Sequence, residues 1–170
     1  VYDLCMINGI NVKAKVPFGV LASVAPIVDF NPQAVREMLA KIGVEFDARD
    51  EERLVRVKNW ITKHQPSKMY KLLEKRNDEY YSGLSDEEKA AVKKLADYIE
   101  EHDNVKEQEI QQYLYGIIND PTLTKKENMA RQQKFFAVFY NVLFGCDKGP
   151  RLYLFLSAID KSKYLNLLKF

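Results

Sequence analysis

The sequence predicts an all-α fold, a bundle or cage of about seven to nine helices. Three observations predict it. Apolar residues recur three and four positions apart through most of the chain, the period of a helix with one buried face. Two capping boxes, Ser85-Asp86-Glu87-Glu88 and Thr124-Lys125-Lys126-Glu127, announce helix starts, because their outer side chains satisfy backbone donors that a helix leaves unpaired. Only 7 Gly and 6 Pro occur in 170 residues, too few for a many-turned β chain.

In chain order, Pro17 to Val28 forms a short apolar helix. Asn31-Pro32 is an N-cap with a first-turn proline, and Val35, Met38, Leu39 and Ile42 make the stripe of a helix ending at Gly43. From Asp47 to His64, acidic residues oppose the positive end of the helix dipole. Leu54, Val57 and Ile61 supply the apolar face of that helix, Trp60 is expected in the core beside them, and Gln65-Pro66 stops it. The helix opened by Ser85 carries Val92, Leu95, Ala96 and Ile99 on one face. Lys106 to Ile118 is the next helix, and Asp120-Pro121 breaks it. Thr124 launches a long helix through Phe135, Phe136, Val138, Phe139, Val142 and Leu143 to Gly145. The helical spacing of Phe135, Phe136, Phe139, Tyr140 and Phe144 assigns most of these rings to the core rather than to a base-stacking surface. After a turn at Asp147-Lys148-Gly149-Pro150, Pro150 takes the first position of a helix from Arg151 to about Ala158, and Tyr164 to Phe170 is a last short helix. Val1 to Val16 receives no assignment.

The near-neutral charge averages two unlike regions. Residues 1–120 carry 17 basic and 21 acidic side chains, a net of −4. Residues 121–170 carry nine Lys and Arg against Glu127, Asp147 and Asp160, a net of +6. This divides the chain into a first helical subdomain, residues 1–120, and a basic C-terminal one, residues 121–170. A basic end suits a polyanion, with a solvated lysine-rich surface as the alternative. At 46% hydrophobic residues the chain has a core to bury, which excludes global disorder. Cys5 and Cys146 are too few for a disulfide framework and point to a reducing compartment. No leader pattern or membrane-length apolar run is present in the sequence, and a chain starting at Val1 is expected to be part of something longer.

Catalytic constellations are missing from the sequence. His64 and His102 lack metal-ligand spacing to a partner and read as exposed histidines at helix ends. Cys146 follows a helix C-terminal glycine, where the negative helix end disfavours a thiolate. There is no Walker A loop or GxGxxG run, and the pairs Glu51-Glu52, Glu87-Glu88 and Glu100-Glu101 are adjacent on their helices and do not face each other. The expectation is a chain with no catalytic residue and no metal site of its own.

Four blocks carry a family resemblance, in order, over nearly the whole chain. Val16-Pro17-Phe18-Gly19-Val20-Leu21-Ala22, with Ala25 and Ile27, is similar to "VPFxxLxxxAQI". Arg56-Val57-Lys58-Asn59-Trp60-Ile61-Thr62-Lys63-His64-Gln65-Pro66 resembles "RxxxARNWIxxYAP". Leu84 to Lys89 fits "LSxEEK", and the run from Phe136 to Gly145 followed by Gly149-Pro150-Arg151-Leu152-Tyr153-Leu154-Phe155-Leu156 looks like "YxVLxG" leading into "GPRLGxFI". These are motifs of class I lysyl-tRNA synthetases; glutamyl-tRNA synthetases share a related helical cage and are the nearest rival. Tyr153 replaces a glycine of the pattern, and Ile159-Asp160 stands where a second glycine is expected.

The resemblance implies the C-terminal, anticodon-binding part of such an enzyme, with tRNA(Lys) and the parent's catalytic domain as partners, in the cytoplasm, as a monomer and away from membranes. ATP and Mg²⁺ would belong to that catalytic Rossmann domain, whose HIGH and KMSKS signatures do not occur here; Lys68-Met69-Tyr70-Lys71 is no substitute. An anticodon loop needs cations for phosphates and planar or hydrogen-bonding groups for base edges. Arg151 behind Gly149-Pro150 is the first candidate, with a salt bridge between the last helices as its alternative role. Lys125, Lys126, Arg131, Lys134 and Lys148 are candidate phosphate contacts, and Tyr153 is a candidate stacking surface. A helical protein-interaction module that never touches RNA is the competing class.

Overall fold

The computed structural model describes residues 16–170 apart from 42 and 104, so Cys5, Ile42 and the stretch before Val16 lie outside the described residues. Among the described residues the regular structure is helical throughout: α1 (Phe18–Val24), α2 (Pro32–Lys41), α3 (Ala48–His64), α4 (Asp78–Ser82), α5 (Asp86–Glu101), α6 (Glu107–Ile118), α7 (Lys125–Phe144), α8 (Leu152–Ala158) and α9 (Leu165–Leu168), with 3-10 turns at Ala25–Val28, Pro66–Lys68 and Lys161–Lys163. No helix among the described residues is long and apolar enough to cross a membrane.

Local chemistry sets most boundaries. Both capping boxes form: Ser85 with Glu88 starts α5, and Thr124 with Glu127 starts α7. Asp47 with Asp50 adds a third at α3. The predicted helix from Pro17 to Val28 instead splits at Ala25, because Pro26 lacks the N–H that would continue the ladder. The closing helix is likewise shorter than expected, a 3-10 turn followed by the single turn α9.

Buried side chains form two clusters. The smaller gathers α1, α2 and α3 through Leu21, Val35, Leu39, Leu54, Val57 and Ile61. There the buried carboxylate of Asp50 is held at 2.8 Å by Arg53, whose guanidinium also donates to the Val16 carbonyl at 2.6 Å, so the charge is not orphaned. The larger joins α5, α6, α7, α8 and α9 through Leu95, Ile99, Leu114, Phe139, Phe155 and Leu168. Helix α8 serves both: Leu152, Phe155 and Leu156 enter the larger cluster while Leu154 enters the smaller.

Trp60 corrects the expectation of burial. It is 37% exposed and lies edge-on to the exposed Phe18 ring at 5.3 Å. The buried face of α3 runs through Leu54, Val57 and Ile61, and Trp60 falls on its flank. Of the α7 aromatics, Phe135 and Phe139 are fully buried, whereas Phe136, Tyr140 and Phe144 are half-buried at the rim of the core. His64 and His102 are exposed, and His102 Nδ1 pairs with the Tyr98 carbonyl at 2.9 Å.

Candidate nucleic-acid interface

Helix α7 ends at Gly145, which takes the left-handed conformation at φ 70° that terminates helices. Two of its last carbonyls are engaged nearby. The Asn141 carbonyl accepts from the Gly145 amide at 3.1 Å and from Asn77 Nδ2 at 3.2 Å, and the Leu143 carbonyl accepts from the Leu73 amide at 2.9 Å. The chain then turns through Cys146 to Arg151. Asn141 Nδ2 donates to Asp147 at 2.8 Å, and the exposed Cys146 thiol donates to the Lys148 carbonyl at 3.0 Å.

Tyr140 closes this turn. Its ring packs against Gly149, where a Cβ would sit 2.3 Å from ring atom Cδ1 and 2.5 Å from Cε1. No residue with a side chain fits there. The Tyr140 hydroxyl donates to the Pro150 carbonyl at 2.7 Å. Burial, with Tyr70 and Tyr153 close by, pushes the Tyr140 phenol up to about 12. The helix start also differs from expectation. Arg151, with φ −58° and a non-helical ψ of 105°, becomes the N-cap, which leaves Pro150 outside α8 with its carbonyl accepting from Tyr140.

The sequence candidates divide into two groups. Arg151 and Lys148 are exposed, and among the described residues neither side chain has a hydrogen bond or ion pair; the expected salt bridge of Arg151 to the last helices does not form. Lys125 and Lys126 stand exposed in the first turn of α7. Arg131, by contrast, is committed inside the protein. Its Nε donates to the Ile118 carbonyl, its Nη2 pairs with Glu87, and its guanidinium lies 4.8 Å over the Phe135 ring. The Glu87 carboxyl is held below its ordinary range chiefly by that arginine. Lys134 pairs with Glu88 at 3.0 Å. Burial raises the Glu88 carboxyl, but Ser85 and Lys134 outweigh it and the net shift is downward. Tyr153 is half-buried against the larger core.

Two depressions lie side by side along α7, sharing Met129 and Gln132. The first, about 710 Å³, is bordered by Tyr115, Asn119, Asp120 and Lys125; the second, about 590 Å³, by Gln133, Phe136, Tyr140, Asp147 and Lys148. Met129 is 53% exposed. Gln132 donates to Asn119 at 2.7 Å, which leaves its carbonyl oxygen open. Ring edges, amides and flanking lysines are the chemistry that takes unstacked bases and their phosphates. Sequence reasoning missed Met129, Gln132 and Gln133; it weighed Tyr140 among the α7 rings but not its fit against Gly149.

No family model matches the chain. Curated relatives do. The lysine–tRNA ligase of Pyrococcus horikoshii is 24% identical over 164 residues, 92% of this chain and 29% of that protein. The lysine–tRNA ligase of Picrophilus torridus is 28% identical over 166 residues, 95% of this chain and 30% of that protein. That of Thermococcus kodakarensis is 24% identical over 164 residues. The chain matches part of a class I lysyl-tRNA synthetase. It spans less than a third of the length of the curated relatives. The match to lysyl-tRNA synthetases runs through both clusters and includes the turn at Gly149-Pro150-Arg151 within the span it covers.

Proposed function

We propose that this chain is the tRNA-binding, anticodon-recognising part of a class I lysyl-tRNA synthetase, whose whole enzyme joins lysine to tRNA(Lys) using ATP and Mg²⁺ in a catalytic domain. One observation carries the reading: lysine–tRNA ligases match 92–95% of this chain but only 29–30% of their own length, as a binding unit within a larger ligase would. The unpaired cations at the α7–α8 turn and the amide-rich groove support it.

In this reading Arg151 grips a phosphate or a base edge through two parallel N–H donors, the geometry at which guanidinium excels. Lys148, Lys125 and Lys126 neutralise backbone phosphates, and bases splayed from the loop settle along α7. Arg131 and Lys134 contribute indirectly, by holding α7 against α5. The reading places the protein in the cytoplasm as a monomeric unit.

Fluorescence anisotropy with a tRNA(Lys) transcript tests it. Binding should fall steeply between low and moderate salt, and exchanging the anticodon should weaken it about tenfold or more. Equal affinity for tRNA(Lys) and anticodon-exchanged transcripts would overturn anticodon recognition, and no binding at low salt would leave the protein-interaction module as the better reading. Preference for tRNA(Glu) would move the parent to the glutamyl enzyme.

A further inference from the structure

The Gly149-Pro150-Arg151 turn poses a physical question: what keeps an exposed arginine with no partner in one place? Exposed guanidinium groups on flexible stems lose entropy when they bind, and a fixed backbone reduces that loss. Arg151 is the N-cap of the seven-residue helix α8, whose Phe155 amide donates to its carbonyl at 2.9 Å, so the helix holds the backbone after Arg151 while the approach through Gly149 and Pro150 lies outside both α7 and α8.

We propose that Tyr140 is the positioning residue for Arg151, holding the turn in the shape from which the guanidinium meets RNA. The inference rests on the reading of this site as a tRNA interface. Two contacts argue for it. The ring occupies the space that any side chain at 149 would need, with a Cβ there only 2.3 Å from Cδ1, so the ring and the glycine backbone fit one another and the turn cannot collapse onto α7. The hydroxyl bond to the Pro150 carbonyl, 2.7 Å long, fixes the peptide that leads directly into Arg151. The far side of the turn is fixed as well, by Asn141 on Asp147 and by the Cys146 thiol on the Lys148 carbonyl. Tyr140 therefore supplies the only side-chain hydrogen bond to Gly149 or Pro150, the two residues before Arg151, among the described residues. Its ring edge also lines the groove beside Lys148, so RNA binding and turn geometry meet at one side chain.

A double-mutant cycle on the full chain decides it, with anisotropy of a tRNA(Lys) transcript as the readout and circular dichroism confirming helix content. Arg151→Ala should weaken binding about tenfold. Tyr140→Phe keeps the ring on Gly149 and removes only the hydroxyl; it should weaken binding roughly threefold to tenfold, by misplacing Arg151. In the Tyr140→Phe/Arg151→Ala protein the loss should equal that of Arg151→Ala alone, because a positioning residue has nothing left to position. Gly149→Ala, which drives a methyl into the ring, should behave as Tyr140→Phe does and keeps the test alive if that variant unfolds. Losses that multiply in the double variant, or a folded Tyr140→Phe protein with wild-type affinity, would overturn the inference while leaving the tRNA reading standing. Wild-type affinity in Arg151→Ala would overturn the inference and the role given to Arg151, whereas no binding by the unaltered chain at low salt would overturn the tRNA reading itself.

Discussion

The middle of α7 and the turn beyond its end carry the same kind of residue and use it in opposite ways. Midway along the helix, Arg131 and Lys134 face the acidic first turn of α5 and pair with Glu87 and Glu88, so their charge is consumed within the fold. Beyond its end, Lys148 and Arg151 project from a braced turn with no internal partner among the described residues. A sequence count gives each of them one positive charge. The fold turns one pair into struts and leaves the other pair for a ligand, so the number of basic residues overstates the surface that RNA could meet.

Exchanging an arginine of each region for alanine tests that contrast. Arg131→Ala should cost about 1–3 kcal/mol of stability, chiefly because it strips the partner from the part-buried Ile118 carbonyl while the exposed Glu87 pair adds little, and should leave RNA affinity within about twofold once the protein is folded. Thermal melts beside anisotropy would show it; a large affinity loss without destabilisation would erase the distinction between the two regions. Arg151→Ala should do the reverse, lowering RNA affinity by about 1–3 kcal/mol while stability stays within about 0.5 kcal/mol.

Acid offers a milder version of the first exchange. The carboxyls of Glu87 and Glu88 lie below their ordinary value of 4.5 in the folded protein. A depressed folded value means that the stabilisation is present above the unfolded value and disappears as pH falls through the folded one. Stability should therefore decline below about pH 4.5, and Arg131→Ala should flatten part of that decline; an unchanged acid limb in the variant would assign it to other carboxylates. The smallest expected change is at the free turn: Lys148→Ala should lower the slope of log affinity against log salt by about one, with little effect on melting.

How much of this was legible in sequence follows from distance along the chain. The capping boxes at Ser85 and Thr124 are complete within four residues, and both formed as read. The stripes at Val35, Leu54 and Val92 need only helical periodicity, and their residues, Ile42 outside the described residues apart, are buried. Arg131 was misleading because its partner Glu87 lies 44 residues away, beyond any local pattern. Pro150 looked like a helix start because prolines favour that position, but the extended Arg151 after it starts α8 one residue later, in a turn bound by a hydroxyl ten residues upstream. Trp60 shows the limit of periodicity, which locates a face but not how far that face extends round the helix.

Helix α8 ties the energetics of the whole molecule together. Leu154 is inserted in the core of α1–α3 while Phe155, the next residue, is inserted in the core of α5–α9. Melting either core strips one side of a seven-residue helix too short to persist by itself. The two cores are thus thermodynamically coupled through adjacent side chains, and heat or denaturant should dismantle them in a single cooperative transition rather than one after the other.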